Sequence, residues 1–179
     1  NKYTNEAKKW LSKNYKEKKF PENTNELQQL SDKIAKEIKL PKNFEVLYLW
    51  DRGKNVRTLF AKDLMVLEKK VQLAGNDIKR AYSARDEYGG LAVGMETTPD
   101  GAAKFAKVTS KKNHGKRLAI LIENKIRSAP SINVQIASGK AQITGSFTPS
   151  EVKTLSRIIQ EGALPVDLKI IEERTVGAT

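Results

Sequence analysis

DIKRAYSARDEYGGLAVGMETTPDGAAKFAKVTSKKNHG, residues 77–115, is the stretch on which the fold turns. Asp77–Arg85 and Leu91–Thr97 read as strands joined across Asp86-Glu87-Tyr88-Gly89-Gly90, a hairpin-type turn. Thr98-Pro99 then supplies an N-cap followed by proline at the first helical position, where its missing N–H costs nothing. The helix is expected to run to about Lys112 and to end at Asn113-His114-Gly115. Its stripe of Ala102, Phe105, Ala106 and Val108 is small enough for close packing on a sheet.

Downstream, Arg117–Ile122 is apolar after its first residue, as in a buried strand. Glu123-Asn124-Lys125 turns the chain and Ile126–Ser128 returns. Pro130 cannot donate to a ladder, so this strand is an edge or a strand end. Ser138-Gly139 is another turn and Ala141–Gly145 a short strand. Thr148-Pro149-Ser150-Glu151 is the strongest helix start in the chain, with Thr at the N-cap, Pro at N1 and Glu at N3. Val152, Leu155, Ile158 and Ile159 form the stripe, Gly162 is a C′ glycine, and Val166–Ile171 is the last strand. From residue 77 the order is β-β-α-β-β-β-α-β. This is an α+β fold with a mixed or largely antiparallel sheet.

Upstream, Ala7, Trp10, Leu11 and Tyr15 place a helix over residues 5–19, stopped by Pro21. Asn23 and Glu26 loosely fit a capping box for a second helix with Leu27, Leu30, Ile34 and Ile38 on one stripe, closed by Pro41. Phe44–Trp50 reads as a strand, Asp51-Arg52-Gly53-Lys54 as a turn, and Val56–Phe60 as the returning strand. A short strand near Met65–Leu67 and a loop at Ala74-Gly75-Asn76 complete this half. The Lys/Asn-rich first 43 residues stand apart in composition, as an insertion packed beside the sheet would.

The chain has 179 residues, 33 basic and 21 acidic, for a net charge of +12. Residues 1–43 carry 11 basic and 6 acidic groups, residues 44–100 carry 9 and 9, residues 101–145 carry 9 and 1, and residues 146–179 carry 4 and 5. The basic character therefore sits in two blocks. Cys is absent, which excludes a disulfide scaffold, thiolate zinc, iron–sulfur clusters and a thiol nucleophile. A single histidine, His114, excludes multi-histidine metal sites. No apolar run approaches the roughly 20 residues that span a bilayer. The chain does not begin with Met and has no signal-peptide pattern, so a mature or excised piece is expected.

No constellation for chemistry emerges. His114 beside Gly115 reads as a helix-end residue. Glu172-Glu173 reads as a solvated pair rather than an acid/base dyad, which would need one buried carboxylate. Neither G-x-x-x-x-G-K-S/T nor G-x-G-x-x-G occurs, and Gly89-Gly90 and Ser138-Gly139 are turns rather than phosphate cradles. Nothing argues for an enzyme, a metal or a cofactor.

A set of short stretches carries further information when taken in order: Gly75-Asn76-Asp77-Ile78-Lys79-Arg80-Ala81, Pro99-Asp100-Gly101-Ala102-Ala103-Lys104-Phe105 and Gly115-Lys116-Arg117-Leu118-Ala119-Ile120-Leu121. Ser128-Ala129-Pro130 follows, then Ser138-Gly139-Lys140-Ala141-Gln142-Ile143-Thr144-Gly145, the most specific, then Gly162-Ala163-Leu164-Pro165 and Glu173-Arg174-Thr175-Val176-Gly177. In order and spacing these stretches resemble the SecD family of Sec export proteins, in the head region of the first periplasmic domain. The resemblance covers about residues 75–179. The chain departs from the family at Ile122-Glu123-Asn124, where Leu-Asp-Gly is frequent, at Ser138-Gly139, where Gly-Gly is frequent, and at Gln160-Glu161, where Arg-Ala is frequent.

The resemblance implies one extracytoplasmic fragment over residues 1–179. Residues 1–74 would be a variable, partly helical head segment, residues 75–165 the head core, and residues 166–179 a strand leading toward the base and the second membrane helix. It implies a non-catalytic, periplasmic part of an inner-membrane protein, with no cofactor. That part would contact unfolded preprotein chains and, moving relative to its base, assist export driven by the proton-motive force. SecF and the SecYEG channel are the implied partners through the full-length protein, with no nucleic acid. The candidate chain-contact residues are Ser128, Ala129, Pro130, Gln142, Ile143 and Thr144, where an exposed apolar side chain or an unpaired strand edge would hold a chain. An Ile143→Asp change is then expected to weaken binding with the fold intact. The candidate conformational residues are Gly139, Gly145, Gly162, Ala163, Leu164, Pro165, Thr175, Val176 and Gly177. Two rivals stand beside this reading. One is a basic binder of nucleic acid or an anionic surface, with Lys104, Lys107 and Lys111 on one helix face. The other is a structural domain docking to sister membrane subunits.

Overall fold

The computed structural model describes residues 2–17, 19–52, 59–145, 147–161 and 166–171. Helix α1 spans Lys2–Asn14 and α2 spans Thr24–Glu37. The first helix begins and ends earlier than its stripe predicted. Asn14 donates its side-chain amide to the Trp10 carbonyl and closes the last turn, leaving Tyr15 outside. For α2, Asn23 is the N-cap, its Oδ1 accepting the Asn25 N–H at 2.8 Å.

Strand β1 (Phe44–Arg52) pairs antiparallel with β2 (Leu59–Glu68), with a bulge at Leu49/Trp50. Asp51 and Arg52, expected in a turn, belong to β1; Gly53, Lys54 and Val56 lie outside the described residues. The two short strands expected near residues 56–60 and 65–67 are one ten-residue strand. Its polar centre, Lys62-Asp63, is tolerated because β2 is a sheet edge: Lys62 pairs with Asp51 at 2.7 Å, and Asp63 with Lys8 of α1. Strand β3 (Val71–Leu73) has no counterpart in the sequence reading; three residues are too few for a periodic signal.

Then come β4 (Ile78–Arg85), β5 (Leu91–Thr97), helix α3 (Pro99–Val108), β6 (Arg117–Ile122), β7 (Lys125–Ser128), β8 (Lys140–Thr144), α4 (Pro149–Glu161) and β9 (Val166–Ile171). This is the expected order from residue 77, in an α+β fold. Thr98 caps α3, its hydroxyl accepting the Gly101 N–H at 3.1 Å. The helix stops at Val108, short of Lys112. Buried Thr109 donates its hydroxyl to the Phe105 carbonyl and Asn113 its amide to that of Val108, so side chains take up the last helical acceptors.

The strands form two sheets. One has six strands in the order β2-β1-β7-β6-β9-β3, mixed because β1 and β7 run parallel; the other is antiparallel, β4-β5-β8. Val166–Ile171 does not lead away from the body. Strand β9 lies inside the large sheet, antiparallel to both β6 and β3. Strands β1 and β3, from the first 74 residues, hydrogen-bond to strands from the second half, so the sheet crosses the 74/75 boundary.

Between the β6–β9 half of the large sheet and the inner face of the small one lies the main core: Val93, Met95, Phe105, Ile120, Ile143, Val152, Leu155, Ile159 and Leu168 among others. Helices α1 and α2 cover β1 and β2 through Ala7, Leu27, Ile34, Val46, Tyr48, Trp50, Leu64 and Val66. A buried chain of hydroxyls, Ser31 to Tyr48 to the Leu27 carbonyl, pins α2 to β1.

Gly139 is where this packing is tightest. It adopts φ +68°, and a Cβ there would collide with Thr97 Oγ1 and crowd Ala102. Gly115 has φ +84° with nothing near its Cβ position. Both substitutions to Ala incur left-handed strain, about 1–2 kcal/mol. Only Gly139→Ala adds an overpacking cost of roughly 1–3 kcal/mol. Denaturant unfolding of the two variants is expected to rank Gly139→Ala well below Gly115→Ala; equal losses would contradict the close packing.

Candidate functional site

Strand β8 is an edge strand, and its register decides what it presents. The Thr97 N–H bonds the Gly139 carbonyl at 2.9 Å, and the antiparallel pairs run Met95↔Ala141, Gly94↔Gln142 and Val93↔Ile143. Hydrogen-bonded pairs alternate in an antiparallel ladder. Continuing from Thr97/Gly139, Ala141 and Ile143 therefore turn their backbone groups inward to β5. Lys140, Gln142 and Thr144 turn theirs outward. Among the described residues no strand pairs with that outer side.

The side chains alternate in the same sense. Gln142 and Thr144 are exposed, whereas Ile143 is 1% exposed and part of the main core. An exposed apolar role for Ile143 is therefore corrected. Placing Asp there puts a charge among Val93, Met95 and Ile159, a disruption of the fold rather than of a contact.

Ser128, Ala129 and Pro130 lie in the large sheet instead. Strand β7 is not an edge, because it sits between β1 and β6. Ser128 pairs with Ile120, the Ala129 carbonyl accepts from Arg117 Nε at 2.8 Å, and the Pro130 carbonyl from the Leu118 N–H at 2.9 Å. This stretch is therefore not a sheet edge: β7 has a strand on each side, and the Ala129 and Pro130 carbonyls are already bonded. Just past the end of β8, a Cβ on Gly145 would stand 3.6 Å from the Arg127 carbonyl and 3.2 Å from the Phe147 ring. Gly139 is not a hairpin turn but the locked entry to β8. Gly162, Ala163, Leu164, Pro165, Thr175, Val176 and Gly177, with Glu172-Glu173, lie outside the described residues.

Beside Gln142 and Thr144, the outer face of the small sheet carries groups that the sequence reading did not single out. The Tyr82 ring lies across Gly94, where any Cβ would strike it. Arg80 stacks over Tyr82 at 5.4 Å and grips Glu96 through two bonds of 2.9 and 2.6 Å. Lys140 approaches Glu96 at 3.7 Å. The Arg80 hydrogen bond, helped by the nearby Arg80, Lys140 and Lys79 charges, holds the Glu96 carboxyl below its ordinary range against the opposing effect of desolvation. The surface is polar, aromatic and nearly charge-balanced. The alternation of Arg80, Tyr82 and Ala84 along β4 opposite Gly94 was the signal available.

Below β8, Glu151 anchors the small sheet's supporting helix. It completes the expected capping box: its Oε2 accepts from the Thr148 N–H at 2.9 Å, and its own N–H donates to Thr148 Oγ1 at 3.2 Å. Its Oε1 takes Arg52 Nη2 of β1 at 2.8 Å and Arg127 Nη2 of β7 at 3.3 Å. Arg127 also stacks on Phe147 at 5.6 Å. Burial raises the Glu151 pKa, but the bonds from Arg52 and Thr148 and the Arg127 charge outweigh it, so the carboxyl titrates below its ordinary value. Lys104, placed by its spacing on a basic helix face, instead bonds buried Asp77 at 2.6 Å. Lys111 falls beyond the helix end, so that face is broken. Among the described residues no cluster of three acidic or histidine side chains could hold a metal, and no helix is long and apolar enough to cross a membrane.

Comparison with known proteins fits this geometry. The family model described as SecDF, P1 head subdomain, matches residues 51–166. The protein translocase subunit SecD of Leptotrichia buccalis is 47% identical over 109 residues, 61% of this chain and 27% of that protein. That of Magnetococcus marinus is 37% identical over 145 residues, 81% of this chain and 27% of that protein. The chain thus spans about a quarter of the length of these curated relatives. A solved structure of SecDF, described as a membrane component that enhances protein export, is 28% identical with a TM-score of 0.52. The match covers 87% of this chain and 77% of that one.

The Glu151 cluster gives a pH dependence of definite sign. Because its folded pKa is depressed, its contribution is fully present above the unfolded value near 4.3 and is lost as pH falls through the folded value. Glu151→Gln is expected to lower stability at neutral pH, with the deficit shrinking toward about pH 2. A deficit that stays constant across that range in chemical unfolding would contradict the assignment.

Proposed function

This chain belongs to the SecDF P1 head subdomain family, and we propose that it works as the extracytoplasmic head of a SecD-type subunit in protein export. On this reading it is non-catalytic and forms one head unit within a larger membrane protein. It contacts emerging preproteins and moves relative to its base as the proton-motive force drives export. Its wider partners are SecF and the SecYEG channel, reached through the full-length protein.

The observation that carries the chain-contact reading is the open edge of β8. Backbone groups of Gln142 and Thr144 point outward, next to the Tyr82 face, and among the described residues no strand lies beside them. An extended polypeptide adds to such an edge through main-chain hydrogen bonds, which are indifferent to its sequence. A general export factor needs that indifference. Among the described sheet edges, β8 combines an outward ladder with a face that is neither apolar nor strongly charged.

A photocrosslinker at Gln142 or Thr144 is expected to capture an unfolded secretory polypeptide several-fold better than one at exposed Lys13. Equal yields would contradict the site. Gln142→Pro removes an outward donor while leaving the ladder to β5 intact, and should weaken capture about three- to tenfold. Thr144→Pro is the companion variant where Gln142→Pro proves unstable. Unaltered capture by a folded variant of either kind would overturn the proposal.

A further inference from the structure

The charge of residues 101–145 is concentrated at one corner. Residues 101–122 contain no acidic side chain. Lys104 is neutralised by Asp77. What remains is Lys107 on the last turn of α3, Lys111 and Lys112 on the following 3-10 turn, and Lys116 at the approach to β6. His114 stands between them, and Lys107, Lys111, Lys112 and His114 are exposed. Asn113 folds this turn back onto the helix end through Val108, and the Lys116 N–H bonds the Asn113 carbonyl at 3.1 Å. Among the described residues none of these four lysines forms an ion pair.

A second observation falls at the same corner. Val134 is 64% exposed, an apolar side chain on a loop that is nevertheless held firmly. Ile132 is buried and exchanges backbone bonds with Lys116 and Gly115 at 2.7 and 2.9 Å. Gln135 donates to the Ala106 carbonyl at 3.0 Å, and the Ile136 N–H donates to Thr109 Oγ1 at 2.8 Å. Four hydrogen bonds thus clamp the loop around Val134 to the segments that bear Lys107 and Lys116.

We propose that this corner, Lys107, Lys111, Lys112 and Lys116 around Val134, docks onto an anionic phospholipid surface. Lysines that have no ion pair among the described residues draw the domain to phosphate headgroups, an attraction that fades with salt. Long lysine stems can reach headgroups while Val134 meets the acyl boundary. A nucleic acid would satisfy the lysines but offers no apolar layer beside its phosphates for the valine to enter, whereas a lipid surface supplies both at once. The corner is separate from the β8 edge and does not depend on chain capture there.

The test is flotation of the 179-residue chain with vesicles of phosphatidylcholine alone or of equimolar phosphatidylcholine and phosphatidylglycerol. Binding to the anionic vesicles alone, released by high salt, is expected. The triple variant Lys107→Glu/Lys111→Glu/Lys112→Glu should abolish it. Lys9→Glu/Lys13→Glu/Lys16→Glu on and beside α1, with the same change in net charge, should largely retain it. The chain has no Cys, so a polarity-sensitive dye on Val134→Cys reports its surroundings alone. Its emission should shift to the blue on anionic vesicles while a dye on Tyr88→Cys stays unchanged. Equal loss in both triple variants, a shift at Tyr88 but not Val134, or binding of polyglutamate without binding of vesicles would each overturn the proposal.

Discussion

Glu151 is the knot of this structure. One carboxylate starts α4 through its capping box with Thr148 and receives Arg52 from β1 and Arg127 from β7. The ion pairs are largely shielded from water, with Arg127 9% and Glu151 16% exposed. Taking away one partner would leave charge behind in a low-dielectric place, which costs far more than a surface pair would suggest. Helix α4 in turn seats the small sheet, burying Val152, Leu155 and Ile159 against Val93, Met95 and Ile143. The orientation of β8, with Ile143 turned into the core and the Gln142 and Thr144 backbone turned outward, follows from that seating.

The other sheet edges show how differently β8 is treated. On β2 the Val66 N–H is taken by Thr4 Oγ1 of α1 at 3.0 Å, and the Leu64 N–H by Asp63 Oδ1 at 2.8 Å. Strand β3 is only three residues long, and β4 lies against α4. Side-chain caps, short strands and covering helices are the usual means of blunting an edge against unwanted pairing. Beside those protected edges, β8 presents Gln142 and Thr144 with their ladder groups outward. Among the described residues this edge alone pairs a five-residue strand with an uncovered outer ladder, and the proposed chain contact rests on that difference.

Much of this is legible in the sequence alone. The element order from residue 77 follows from alternation in β4 and β5 and from the two Thr-Pro helix starts, where a capping hydroxyl and a fixed φ act locally. The sequence also singled out Gln142 and Thr144, although their surroundings were not visible in it. Illegible features came from long-range pairing. Pro130 reads as an edge because it lacks a donor, yet the chain passes β1 and β6 before reaching it. Ile143 reads as a contact residue until the register turns it inward. Lys104 reads as part of a basic face until Asp77, twenty-seven positions away, claims it. The inclusion of β1 and β3 in one sheet with β9 joins the two halves of the chain, and no local composition shift can report that.

Residue-resolved amide hydrogen exchange along β8, with and without an unfolded secretory polypeptide, reads the central claim most directly. The account predicts fast exchange at Gln142 and Thr144 and slow exchange at Ala141 and Ile143 in the free chain. Protection should then appear at Gln142 and Thr144 when the polypeptide is added. Protection of all four amides in the free chain, or no change at Gln142 and Thr144 under saturating polypeptide, would contradict it.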